Sequence, residues 1–249
     1  MHTPANVENC LSFLHCYLQP KTGQERPAFP KLAVTISRES GCGAHAIAEK
    51  LAAVLQAAAP KETSPWNIFD QNLMERVLAE HHLPESISKY MPEDRVTEIS
   101  DIMDEVFGLR PGSWTLVEQT SETVLRLAEL GNVIIIGRAG NVVTARLPHV
   151  LHVRLIAPLE DRIANHQHYE GLTRAAAVER ISQQDTGRRR YLKKYFGKDV
   201  ADPLLYHIVI NTSLVTIDAA VQLIACALQR CCLVQAVRKL GTTQTLHPV

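Results

Sequence analysis

Short runs of β-branched and other apolar residues alternate with longer amphipathic segments along most of this chain. The runs have the length and composition of buried strands, and they cover residues 32–36, 66–69, 133–136, 150–156 and 207–210. Strands that are separated by helices pair in parallel, and a parallel sheet needs a helical layer on each of its faces. The alternation therefore predicts an α/β fold with three layers, αβα, around a central parallel sheet.

The segments between these runs carry helical signals. Ile47, Leu51 and Leu55 recur with the spacing of one helix face. Gly131 directly follows another helical segment, which is the expected position of a glycine just beyond a helix. The predicted helices start near residue 44 and after Pro158, and they also cover residues 71–81, 97–107, 113–130, 173–196 and 217–233.

The two ends of the chain are set apart from this pattern. Residues 10–18 fit one amphipathic helix, and prolines and glycines punctuate the stretch that follows up to Pro30. We interpret residues 1–30 as an arm that packs on the domain or contacts a second copy in a homodimer. Residues 31–235 are expected to form the main domain, and residues 236–249 a frayed tail.

Composition excludes several classes of protein. The 249 residues carry a formal net charge of zero, so no bulk charge favours nucleic acid or a membrane surface as a partner. The six cysteines show no paired spacing, and in a chain of this size that is typical of reduced thiols. We expect a cytoplasmic protein without a targeting leader or membrane span.

A loop rich in glycine connects the first strand to the first helix, at residues 37–43. Gly41 and Gly43 allow the backbone to turn and to bring its N–H groups close to an anion at the start of a helix. In the phosphate-loop motif GxxxxGK[ST], Ala44 would occupy the lysine position. The run 41–46 also matches the dinucleotide pattern GxGxx(G/A), and an ordinary tight turn is a third interpretation.

Polar or glycine-rich segments follow four of the predicted strands: residues 37–43, Asp70, residues 137–140 and residues 211–212. In open parallel sheets, ligands bind at the carboxyl ends of the strands. We therefore expect these segments to meet at one edge of the sheet and to form a binding site there.

Four blocks of sequence resemble the cytidylate kinase-like family, a branch of P-loop nucleoside monophosphate kinases whose loop departs from the lysine motif. They are Val-Thr-Ile-Ser-Arg-Glu-Ser-Gly-Cys-Gly at 34–43, Asn-Ile-Phe-Asp at 67–70, Val-Ile-Ile-Ile-Gly-Arg-Ala at 133–139, and the stretch from Asp185 to Ser213. The resemblance runs from about residue 32 to residue 228. It implies a P-loop fold with a helical lid at about residues 173–200, with ATP and Mg²⁺ as cofactors and nucleotides as ligands.

The resemblance also implies roles for individual residues. The donor phosphates would lie against Ser40, Gly41, Cys42, Gly43, Ala44 and His45. Catalytic contacts to the phosphates are expected from Arg188 and Arg190 on the lid, and from Arg38. Either Arg38 or His45 could partly replace the lysine. The acceptor would be bound by Gly137, Arg138, Asp70 and Asp185.

Some of these residues have a simpler alternative role. Asp70 could hold Mg²⁺ through water, orient an acceptor hydroxyl or cap the following helix, whereas the resemblance implies that Asp185 orients the lid. The three consecutive arginines at 188–190 could form a solvated basic face, and His45 could face solvent. Ala139 stands where cytidylate kinases carry Asp. No cluster of residues has the spacing of a protein-bound metal site.

Three functions stay open at this point. The first is ATP-dependent phosphorylation of a nucleoside monophosphate, most simply CMP. The second is a nucleotide-binding sensor or regulator with little or no kinase activity, which the missing lysine suggests. The third is a dinucleotide-dependent oxidoreductase.

Overall fold

The computed structural model describes residues 32–59, 64–70 and 113–232, and elements are numbered here among those residues. The strands are β1 (Ala33–Arg38), β2 (Asn67–Phe69), β3 (Val133–Ile136), β4 (Val150–Ile156) and β5 (Ile208–Asn211). They form one sheet in the order β2-β3-β1-β4-β5, and every neighbouring pair is parallel.

Helices follow the strands along the chain. They are α1 (Ala44–Ala58), α2 (Ser113–Leu130), the single-turn α3 (Gly140–Val143), α4 (Leu159–Glu170), α5 (Arg174–Phe196) and α6 (Ile217–Ala227). A 3₁₀ turn at Pro203–Leu205 precedes β5, and a π-helix at Leu228–Cys232 continues α6.

The sheet separates two apolar layers, as the strand periodicity requires. On one face, Val34 and Ile36 of β1 pack in a cluster with Ile47 of α1 and Val221 of α6. On the other face, Ala33 belongs to a second cluster that includes residues of α2. The predicted three-layer αβα fold with a central parallel sheet is confirmed.

The sequence predicted most element positions within a residue or two, and there are three differences: two at the ends of elements and one helix that was not predicted. Strand β1 continues through Arg38, where we expected the loop from residue 37, because Ser37 and Arg38 pair with β4. The segment 137–140 is a turn that leads into α3, which we did not predict. The last helix changes from α to π at Leu228.

Several predictions lie outside the described residues: the arm at 1–30 with its helix, the helices at 71–81 and 97–107, and the tail at 236–249. Within the part of the chain that the structure describes, no helix is both long enough and apolar enough to cross a bilayer.

One half of the sheet carries a buried polar layer. His152 of β4 is hydrogen-bonded through Nδ1 to Thr35 Oγ1 at 2.8 Å, and its ring stacks on His207 with centroids 4.8 Å apart. Burial, with a smaller contribution from His207, lowers the pKa of His152 to about 3. The imidazole is therefore neutral at physiological pH, and stability depends on keeping it so.

Candidate functional site

The strand order has its topological switch point between β1 and β4. The chain leaves β1 toward β2 at one edge of the sheet and leaves β4 toward β5 at the other, which is the arrangement that opens a ligand crevice beyond the strand ends. The loop after β1 covers this point. Glu39 donates its backbone N–H to the Leu155 carbonyl at 3.0 Å, and its Oε2 accepts from the Ala157 N–H at 3.2 Å.

Gly41 fits this loop closely against helix α4. Its φ is +87°, and a Cβ at this position would lie 2.7 Å from the Arg162 carbonyl oxygen. The Asn165 amide donates to the Gly41 carbonyl at 2.8 Å. The glycine is therefore required both for its backbone conformation and for the close approach of the two backbones.

A carboxylate on helix α5 is bound to the loop. Asp185 Oδ1 accepts the Ser40 backbone N–H at 2.8 Å and an Arg188 Nη1 hydrogen bond at 3.1 Å. Its Oδ2 lies 2.5 Å from Arg162 Nη1. One backbone amide and two guanidinium groups thus surround one anion, which is the donor set that also binds phosphate.

The Ser40 side chain forms a second link between the loop and the lid helix. This residue is 3% exposed, and its hydroxyl contacts His166 Nε2 at 2.9 Å and donates to Gln184 Oε1 at 2.7 Å. His166 Nδ1 lies 2.8 Å from Glu170 Oε1. The loop, α4 and α5 are consequently joined by polar contacts that are buried or partly buried. The role of Asp185 in orienting the lid stays a prediction.

The remaining loop residues divide into buried and exposed ones. Cys42 and Ala44 are buried. Burial, assisted by the nearby Glu39 charge, raises the pKa of the Cys42 thiol to about 11. The His45 side chain is 52% exposed, yet its Nε2 reaches Asp70 Oδ2 at 3.2 Å. His45 therefore faces solvent, as one alternative predicted, and it also contacts the buried carboxylate at the end of β2; its role as a partial replacement for the lysine stays a prediction.

A second set of residues forms a small cleft beside the loop, with a volume of about 30 Å³. It brings together the ends of β1 and β3 with helices α3 and α5. We call it the arginine cleft. Its lining residues are Ser37, Arg38, Gly137, Arg138, Ala139, Asn141, Arg188, Tyr191, Leu192 and Val200.

The backbone at the end of β3 is strained where it enters this cleft. Gly137, Arg138 and Ala139 have φ values of +82°, +54° and +52°, and a left-handed conformation costs a non-glycine residue roughly 1–2 kcal/mol. Arg138 is only 3% exposed. Strain of this kind clusters at functional sites, where the surrounding structure holds it in place.

The structure therefore brings most of the predicted residues to the same edge of the sheet. Arg38, Arg138 and Arg188 line one cleft. Arg190 does not line it and is exposed, because two residues along a helix correspond to a rotation of about 200°. Its catalytic role stays a prediction.

Arg162, His166 and Asn141 are site residues that the sequence reasoning missed. Arg162 lies in the first turn of the helix that follows β4, and this position after a strand end was a usable signal. His166 and Asn141 gave none, because a lone histidine or asparagine on a helix is usually a surface or capping residue.

The strand order also bears on the oxidoreductase alternative. A dinucleotide fold of the Rossmann type places the second strand directly beside the first. In this sheet β3 lies beside β1, and β2 lies beyond it. The sheet therefore does not have the strand order on which the dinucleotide-dependent oxidoreductase alternative depends.

Comparison with known proteins agrees with the geometry. A cytidylate kinase of Ignicoccus hospitalis is 34% identical over 101 residues, which span 41% of this chain and 58% of that relative. A uronate isomerase of Corynebacterium glutamicum is 28% identical over 109 residues, but these span only 21% of that protein. The chain thus matches less than two thirds of the length of either curated relative.

Among solved structures, an uncharacterized protein from Eubacterium ventriosum has the same fold. It superposes with a TM-score of 0.58 at 17% identity, over 80% of this chain and 99% of that one. The model of the cytidylate kinase-like family matches residues 33–214, well over half of the chain. On this match and on the arrangement of its loop, sheet and arginines, the chain belongs to the cytidylate kinase-like family.

Proposed function

We propose that this protein transfers the terminal phosphoryl group of ATP to a nucleoside monophosphate of the CMP type. The observation that carries the proposal is the arginine cleft, where Arg38, Arg138 and Arg188 meet beside the glycine loop. Phosphoryl transfer depends on neutralising charge and on aligning donor with acceptor. Three guanidinium groups between a donor loop and a strand end supply that charge at the right place.

The donor would lie on the amides of the loop from Ser40 to His45, at the start of helix α1. That helix is 15 residues long, and its N-terminal end favours an anion. Asp70 is a buried carboxylate that contacts His45 at this end, and it would hold Mg²⁺ through water. The metal would neutralise charge on the phosphate oxygens. The acceptor phosphate would contact Arg138, which the strained turn fixes in the cleft.

A second candidate function is nucleotide binding with weak or no transfer. Two observations favour it: Ala44 stands at the lysine position, and the Asp185 carboxylate holds the Ser40 amide that a phosphate would need. The loss of one preorganised charge-stabilising donor lowers rates by roughly 10²–10³. In this case Asp185 would have to be displaced before a phosphate could bind there.

One experiment separates the two candidates. The full-length protein is incubated with ATP, Mg²⁺ and each nucleoside monophosphate in turn, ADP release is followed, and ATP binding is measured by thermal shift. ADP release with CMP supports transfer. ATP binding without turnover on any monophosphate supports the second candidate, and absence of ATP binding refutes both.

Substitutions on the lid helix test the site. Arg188→Lys keeps the charge but removes the paired N–H geometry, so turnover should fall at least tenfold. Arg189→Lys is the matched control, because it makes the same change at an exposed position of the same helix. Equal turnover in both variants would refute the role of Arg188. The cytoplasmic location and the homodimer remain predictions.

A further inference from the structure

Asn141 stands out in the arginine cleft because its amide nitrogen has no hydrogen-bond partner among the described residues. The residue is 6% exposed, and among the described residues no group accepts a hydrogen bond from its Nδ2 atom. A buried donor without a partner costs about 1–3 kcal/mol. Native structures tolerate such a group mainly where a ligand or water completes it.

The surroundings of Asn141 restrict what can complete this hydrogen bond. The other strongly polar groups of the cleft include Arg38, Arg138 and Arg188, and a guanidinium group can only donate. A ligand that enters between these groups must therefore offer several acceptor oxygens and negative charge. A phosphate monoester meets both requirements, whereas a nucleobase or a ribose offers oxygens without the charge.

The size of the cleft agrees with one end of such a ligand. Its volume of about 30 Å³ exceeds the roughly 10–15 Å³ that a single water molecule needs. It can hold one or two oxygens of a phosphate but not a whole nucleotide, so the rest of the ligand has to lie outside it or open it further.

We infer that Asn141 is an acceptor-binding residue, which donates a hydrogen bond to a phosphate oxygen of the nucleoside monophosphate. The inference rests on the proposed function, because it assigns a further contact to the same acceptor. It also defines what the cleft recognises: the phosphate end of the acceptor and not its base.

The test uses two variants of similar size to asparagine. Asn141→Asp replaces the donor by a carboxylate that repels phosphate, and Asn141→Leu removes both polar atoms. Gln167→Glu makes the same change from amide to carboxylate on an exposed face of α4 and serves as the control. CMP and cytidine are the probes, and their dissociation constants are measured by calorimetry on the full chain, with circular dichroism as a check of folding.

We expect Asn141→Asp to weaken CMP binding tenfold or more while cytidine binding changes less than twofold. Asn141→Leu should also weaken CMP binding, and Gln167→Glu should not. Unchanged CMP binding in both Asn141 variants, with CMP bound by the wild type, overturns the inference alone and assigns the amide to a buried water. Equal weakening for CMP and cytidine also overturns it, because the contact would then be to the base or the sugar. A wild type that binds no nucleoside monophosphate overturns the proposed function together with the inference.

Discussion

Replacing Gly41 by alanine should destabilise the protein far more than the same change at Gly43. Both glycines have positive φ, +87° and +72°, so each alanine variant carries a conformational penalty of about 1 kcal/mol or slightly more. Only at Gly41 does the new methyl group collide, since it would lie 2.7 Å from the Arg162 carbonyl oxygen and 3.0 Å from its Cα. At Gly43 nothing lies within 4 Å.

The difference between the two variants therefore isolates the packing of the loop on helix α4. Relief of the clash requires helix α4 or the loop to move, and overpacking of this kind costs roughly 1–3 kcal/mol. We expect Gly41→Ala to lower the free energy of unfolding by about 2–4 kcal/mol and Gly43→Ala by about 1 kcal/mol. Urea denaturation followed by circular dichroism measures both values. If the two variants lose the same stability, the loop does not rest on Arg162 and the described geometry is wrong.

Three further predictions follow from the charges and burial of single side chains. The pKa of His152 falls from 6.5 in the unfolded chain to about 3 on folding, so the unfolded chain is protonated first as the pH falls. The stability that the neutral imidazole contributes is therefore complete above pH 6.5 and is lost as the pH falls toward 3, with a loss of about 1.4 kcal/mol between pH 7.5 and 5.5. Urea denaturation at several pH values measures this pH dependence of the free energy of unfolding, which His152→Asn should reduce and His168→Gln, at an exposed position, should leave unchanged. Asp185→Asn removes the charge that pairs with two arginines, so the melting temperature should fall while ATP affinity, measured by calorimetry, rises; weaker ATP binding would contradict the view that this carboxylate competes with phosphate. Cys42, buried with a pKa of about 11, should resist iodoacetamide at pH 8 in the native protein while exposed Cys226 is alkylated, as mass spectrometry of the tryptic peptides would show.

The fold could be predicted from the sequence because the apolar runs, the helical periodicity and the glycine positions all indicated the same strands and helices. The run Val133–Ile136 is apolar at every position, and it forms a strand buried on both faces. The helix at Ser113–Leu130 ended where Gly131 predicted. Such signals lie within the element itself, so they predict a strand or a helix without knowledge of the residues that it packs against. Because the strands pair in parallel, only a few sheet topologies then remain possible.

The site could be predicted only in part, because its geometry depends on contacts between distant residues. Arg38, Arg138 and Asp70 could be predicted as site residues because they lie at the ends of predicted strands. That position can be recognised without knowing which residues their side chains contact. The hydrogen bond from Ser40 to Asp185 joins residues 145 apart in the chain. Nothing local in the sequence specifies such a pair, and the same holds for the contact of Ser40 with His166.

The two faces of β4 explain how one strand supports both the core and the site. Leu151, Val153 and Leu155 enter the apolar cluster beneath α1 and α6, whereas Arg154 points to the other face, where it donates to Ser37 Oγ at 3.0 Å and lies 5.6 Å from the ring centre of Tyr206. Ser37 lines the arginine cleft, so the buried Arg154 guanidinium holds one lining residue of the site in place through this hydrogen bond. A strand that was apolar on both faces could complete the core equally well, but it could not hold the polar wall in place. The buried charge in this strand is therefore explained by the site above it and not by the fold.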